Sequence, residues 1–349
     1  MIGAERRTRT TRSVTRLILA YKNFAANRNI SHIGLGVAAL NTAKVLRANG
    51  IAAEVWPITN AAELSARLDS SISHVVTSAP WIPAEAWQRL TAEHPDVAFA
   101  VNCHSNVGFL QADASGVRRL RDGIELEKGT WNFHVAGNSG KFCEWIRAAY
   151  RAPCAYLANL YYLEPERRNY PRMPFSGGTL RVGAFGATRP LKNLMSAAGA
   201  ALEIASRRNV QVELWVSAGR AEGGGGIIDA VRAMLAGLPH ARLVENGWQT
   251  WPRFRETVRH MHLLLQPSYT ESFNMVTADG VAEGVASVVS NAIDWAPAAW
   301  KAGFDHVDEI ARVGGHLLAD PHAAADGWLA LEAHNAEGLR CWKSYLEAA

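Results

Sequence analysis

Two acids eight positions apart carry the strongest chemical signal in the chain. Glu271 stands in the polar turn TES, and Asp279 follows it within LLLQPSYTESFNMVTADGVAEGV, residues 263–285. Leu263 to Gln266 reads as a short buried strand that Pro267 and Ser268 end. A helix is expected from about Asn274, with apolar residues at Met275, Val276, Val281 and Val285. In a strand–loop–helix unit of an α/β sheet, the loop and the first helical turns face the crevice beyond the strands' carboxyl ends, where ligands bind. An acid in the loop and an acid a turn or so into the helix therefore reach one ligand. Backbone N–H groups at a helix start hold phosphate, and carboxylates accept hydrogen bonds from hydroxyls. Acids beside phosphate-binding amides suit a nucleotide sugar.

The same stretch resembles the donor-site signature of retaining glycosyltransferases of the GT-B fold, the large family-4 type, roughly P-S-x-x-E-S-F-G-x-x-x-x-E-A-x-A-x-G. Pro267, Ser268, Glu271, Ser272, Phe273 and Gly284 match; Asn274 stands where glycine is usual, and Asp279 where a second glutamate is usual. The resemblance implies an α/β chain of two Rossmann-like domains facing a cleft. It gives Glu271 the donor sugar's hydroxyls and Asp279 the ribose, with Ser272, Phe273 and Asn274 lining the donor site. Upstream, GAFGATRPLKN resembles the family's V-G-R-L-x-x-x-K-G. Gly186 and Lys192 match, Ala187 fills the usual arginine position, and Arg189 stands two residues on as its substitute. Two cations there offset the charge of a departing diphosphate. The resemblance also places a histidine, here His104, near the reacting sugar carbon. It brings a loop containing Gly34 and Gly36, with Ser31 and His32 beside them, toward the diphosphate and acceptor.

These side chains need a scaffold, and the sequence offers one. RLILAY (16–21), IAAEVWPI (51–58), SHVVTSA (73–79) and VAFAVNCH (97–104) read as buried strands alternating with helices. The loop KNFAANRNISHIGLG is expected before a helix that starts at about Val37. His104 ends its strand, where function tends to sit in parallel sheets. VGFLQADASGVRRLRDGIELEKGTW (107–131) looks irregular; its Arg118, Arg119 and Arg121 form either an acceptor surface or a solvated face. EPERRNYPRMPFSGG, with three prolines and Gly177-Gly178, reads as a linker. The expected organisation is an acceptor domain over 1–165 with a basic arm in its first fifteen residues, a linker over 166–178, and a donor domain over 179–349. The last helix is expected to cross back onto the first domain.

Composition sets bounds. The 349 residues suffice for two cores, and 48% hydrophobic with 19% charged residues is globular. No apolar run approaches a membrane span, and the N-terminus lacks a secretory pattern. Four scattered cysteines without C-x-x-C fit reduced thiols in a cytoplasmic protein. No H-x-x-x-H, H-E-x-x-H or D-x-D set is present, so no metal site and no tightly bound cofactor is expected. Residues 1–175 carry +7 (21 Lys+Arg against 14 Asp+Glu) and residues 176–349 carry −3 (15 against 18), matching the total of +4. A basic first half favours an anionic acceptor.

The expected activity is transfer of a sugar, with retention, from a UDP- or GDP-sugar to a hydroxyl. One candidate acceptor is a hydroxymethylated pyrimidine in DNA, as phage-encoded enzymes of this fold modify. A cell-surface glycan or a lipid-linked acceptor, reached by peripheral membrane contact, stays open. So do a 2-epimerase-type enzyme of the same fold and an inactive binding protein. The sequence leaves the oligomeric state undetermined.

Overall fold

The computed structural model describes residues 16–23, 32–168, 174–218 and 226–348. The basic arm, Ser31, the middle of the linker and most of the GGGG run lie outside the described residues.

The chain divides into two compact units. The first runs to His104 and adds Asp113–Leu160 and the chain from Glu337 onward; the second takes Ser105–Ala112 and Tyr161–Ala336. In chain order the first unit's elements are β1 (Leu17–Lys22), α1 (His32–Ala48), β2 (Ala53–Ile58), α2 (Ala61–Arg67), β3 (His74–Ser78), α3 (Ala84–Glu93) and β4 (Ala98–Cys103). A short α4 (Val107–Leu110) belongs to the second unit, and α5 (Ala114–Gly129), β5 (Phe133–Gly137), α6 (Gly140–Tyr150) and β6 (Ala155–Tyr156) return to the first. All strand pairs are parallel, in the order β2-β1-β3-β4-β5-β6. Every residue of β3 and β4 is buried, as expected of parallel strands covered on both faces. Trp87 of α3 packs its ring 5.1 Å from Phe133 and 5.8 Å from Phe99, fixing one helix layer to the sheet.

Two local expectations need correction. The stretch after residue 107 is not irregular: α5 is a 16-residue helix whose cap, Asp113, accepts from the Gly116 amide. Gly123 blurs its apolar periodicity, although a Cβ there would make only ordinary contact with Val135, at 3.7 Å. Gly34 and Gly36 are also not in a loop, because α1 begins at His32. Gly36 is covered by the Tyr21 ring, 3.0 Å from where its Cβ would be, while Gly34 faces open space.

The second unit continues with β7 (Thr179–Ala184), α7 (Leu194–Arg208), β8 (Gln211–Ser217), α8 (Ile227–Leu235), β9 (Ala241–Asn246), α9 (Trp251–Arg259), β10 (Leu263–Gln266), α10 (Met275–Ala282), β11 (Ser287–Val289), α11 (Val307–Ala319) and α12 (Ala323–Ala348). Its parallel sheet has the order β11-β10-β7-β8-β9. Strand order reverses between β7 and β10, which makes a topological switch point there. Gly280 lets α10 press onto β10, since a Cβ would meet Leu264 at 2.7 Å. The end of α12 is held in the first unit, where Trp342 is buried and its Nε1 donates to the Ala158 carbonyl at 2.9 Å. Among the described residues no helix is long and apolar enough to cross a membrane.

Candidate functional site

Two loops leave neighbouring strands at the switch point of the second unit. The first, after β7, turns at Gly186, whose φ of +120° favours glycine. The Gly186 amide donates to Ser217 Oγ at 3.1 Å, and Thr188 Oγ1 donates to the Ser217 carbonyl at 3.3 Å. A 3-10 turn over Pro190–Lys192 then leads to Asn193, left-handed at φ 54°, and into α7. The second loop, after β10, runs from Pro267 to Asn274. The Tyr269 amide donates to the Leu191 carbonyl at 3.0 Å, and Asn193 Nδ2 donates to the Pro267 carbonyl at 3.1 Å, so the loops are tied to each other.

Across this tie the two predicted groups meet. Lys192 Nζ lies 2.5 Å from Glu271 Oε1, with side-chain exposures of 17% and 10%. The Lys192 chain passes Gly186, whose missing Cβ would sit 3.5 Å from Lys192 Cε. Beneath the pair, Asn274 Nδ2 donates to Glu271 Oε1 at 3.0 Å and to Gln266 Oε1 at 3.1 Å, and Gln266 Nε2 donates to the Phe185 carbonyl at 3.2 Å. A small pocket open to solvent lies beside Lys192, lined also by Phe185 to Arg189, Ser217 and Gln266; Glu271 is not among its lining residues. Arg189 is half-buried, with its guanidinium 6.0 Å from the centre of the Phe109 ring. Ala187, at the family's arginine position, is buried.

The other predicted residues fall differently. Phe273 is buried, stacked 5.5 Å from Trp295 with its carbonyl accepting the Trp295 Nε1 at 2.7 Å; it is a core residue that anchors the loop. Ser272 is half-buried. Asp279 is 3% exposed and is not among the residues lining the pocket. Its Oδ1 accepts from Tyr161 Oη at 2.7 Å and Trp251 Nε1 at 2.8 Å. Burial raises its pKa to about 6 despite those bonds. His104 belongs to the first unit, immediately after β4, and burial lowers its pKa to about 4, so its ring is neutral near pH 7. Gly34 and Gly36 also belong to the first unit.

Sequence reasoning missed Gln266, Tyr161 and Trp251. Gln266 had a signal, being a polar residue at the carboxyl end of an otherwise apolar buried strand. Tyr161 and Trp251 had none, because their meeting with Asp279 depends on packing across distant segments.

No protein-family model matches the sequence, and no curated protein matches it. Solved structures do resemble it. The UDP-forming α,α-trehalose-phosphate synthase from Burkholderia xenovorans superposes with a TM-score of 0.64 at 11% identity, over 95% of this chain and 98% of that one. The sucrose-phosphate synthase from Thermosynechococcus elongatus gives 0.61 at 14% identity, over 95% and 98%. S. aureus TarM, solved in complex with fondaparinux, alpha-GlcNAc-glycerol and UDP, gives 0.56 at 14% identity, over 79% of this chain but only 55% of its own. The chain has the α/β GT-B fold, with two units each built on a parallel sheet.

Proposed function

We propose that this protein is a retaining glycosyltransferase that moves a sugar from a uridine diphosphate donor to a hydroxyl of an anionic acceptor. The contact between Lys192 and Glu271 carries the reading, because it joins a cation and an acid from separate loops at the switch point. An ammonium has three donors. One is spent on Glu271, and the others are available to diphosphate oxygens. Lys192 and Arg189 then neutralise charge that grows on the leaving diphosphate, an effect of the kind that accelerates transfer. Glu271 orients the sugar by accepting from its hydroxyls. Asp279, buried with its Oδ1 engaged by Tyr161 and Trp251, is assigned to the ribose by the family resemblance alone. His104 is assigned to the sugar by the family resemblance alone.

The reaction breaks the bond from the anomeric carbon to the diphosphate oxygen. It forms a bond on the same face to the acceptor oxygen, and the acceptor's proton passes to the departing diphosphate. The choice of uridine is supported by the UDP-forming synthase and by TarM, which was solved with UDP. An anionic acceptor is supported by the excess of +7 over residues 1–175 and by the exposed Arg118, Arg119 and Arg121 of α5. Two such acceptors belong in the test. One is a phosphorylated saccharide, and the other is DNA containing hydroxymethylpyrimidine, which would have to extrude the base.

The experiment incubates purified protein with radiolabelled UDP- and GDP-sugars, alone and with each acceptor. Turnover of a UDP-sugar is expected, and Lys192→Ala and Glu271→Ala should each lower it by roughly two orders of magnitude. Near-wild-type rates in either variant would sink the assignment. Label on DNA would select the nucleic-acid acceptor, and its absence with every donor would remove it.

A further inference from the structure

We propose that Asn274 is a positioning residue that divides the Glu271 carboxylate, reserving Oε1 for the protein and leaving Oε2 for the donor sugar. This inference rests on the glycosyltransferase reading and goes beyond it by naming the group that aims its sugar-binding acid. Asn274 is 5% exposed and left-handed, at φ 69° and ψ 88°. Glycine is usual at this place in the signature that the loop resembles. Asparagine is among the few other residues that accept such a conformation, so the turn survives while an amide is gained.

The direction of that amide is fixed from both ends. The Thr277 amide can only donate, and it lies 2.9 Å from Asn274 Oδ1. The Phe185 carbonyl can only accept, and it lies 3.2 Å from Gln266 Nε2. Gln266 must then turn its oxygen toward Asn274, and Asn274 must turn its Nδ2 toward Gln266 and Glu271. The two constraints are independent and agree. Asn274 Nδ2 and Lys192 Nζ both meet Oε1 of Glu271, while no bond reaches Oε2 among the described residues. One oxygen is therefore held in place by an amide and an ammonium, and the other is presented. A half-buried acid held this way loses little rotamer freedom when substrate binds.

The test compares binding of UDP and of the turned-over UDP-sugar, by calorimetry, in wild type, Asn274→Gly and Asn274→Asp. Glycine fits the left-handed turn and is a tolerated helix cap, so Asn274→Gly should fold. Its affinity for UDP should stay within about twofold, whereas affinity for the UDP-sugar and its turnover should each fall about tenfold or more, the size of a lost hydrogen bond to a charged group. Asn274→Asp keeps the cap oxygen but sets a second carboxylate against Glu271. Its loss of sugar affinity should be larger at pH 8 and shrink toward pH 5, a pH dependence that Asn274→Gly should lack. An Asn274→Gly protein whose preference between UDP and UDP-sugar matches wild type would overturn the proposal. Equal weakening toward both ligands would also overturn it, by marking a merely structural role. Wild-type protein that binds no nucleotide at all would instead bring down the glycosyltransferase reading on which the proposal stands.

Discussion

At the scale of single residues, Glu271 and Lys192 were legible because each sits at a fixed offset from a strand end, and strand ends are visible as apolar runs. What the sequence could not display is how neighbours share a group. Asn274 read as a departure from glycine, yet its left-handed backbone meets the same steric demand, and its side chain reaches two acceptors. Phe273 matched the signature and is nonetheless packed against Trp295 in the core, because a motif records which residues recur and not which way they point. Gly186 shows backbone demand more directly. A Cβ there would make only ordinary contact with Lys192, at 3.5 Å, so space is not limiting. The φ of +120° is, since side-chain-bearing residues are strained in that region. Gly186→Ala should therefore cost on the order of 1–3 kcal/mol and weaken UDP binding by shifting the loop that carries Lys192. Urea denaturation and calorimetry read the two effects; unchanged values in both would show that the turn relaxes freely.

At the scale of elements, continuous apolar runs located the strands well, and helices failed where glycine or charge interrupted the pattern. The helix α5 was hidden by Gly116, Gly123 and its charged run, although Asp113 at its cap was a usable start signal. The most consequential element contact was invisible in sequence. Glu283, at the end of α10 and with a side chain only 1% exposed, receives three guanidinium groups. Arg167 lies 2.7 Å away, Arg255 2.7 Å and Arg259 2.8 Å, and Arg255 and Arg167 also bond Glu164. This cluster ties α9, α10 and the start of the linker segment together within the second unit. Removing one partner of a buried ion pair leaves an uncompensated charge and typically costs 3–5 kcal/mol. Glu283→Gln should lose stability on that order, seen as a lower urea midpoint with an unchanged slope. A midpoint equal to wild type would mean that Glu164 alone satisfies the arginines.

At the scale of the whole molecule, the buried Asp279 and the half-buried His104, in different units, pull the acid stability of the chain in opposite directions. Asp279 has its pKa raised from 3.8 to about 6 by burial, so the folded state binds its proton more tightly than the unfolded chain does. That contribution is fully present below pH 3.8 and is lost as pH rises through about 6. His104 has its pKa lowered from 6.5 to about 4, so the folded state excludes its proton. Its contribution is present above pH 6.5 and is lost as pH falls through about 4. Between these limits the two slopes largely cancel. Asp279→Asn separates them. The asparagine oxygen can still accept from Tyr161 and Trp251, so packing is kept while the titration is removed. Relative to wild type the variant should gain stability progressively from pH 4 to pH 6, by a total on the order of 2–3 kcal/mol, with its melting temperature falling more steeply on acidification. A difference between variant and wild type that does not change with pH would show that Asp279 is ionised throughout, and that the Tyr161 and Trp251 bonds outweigh its burial.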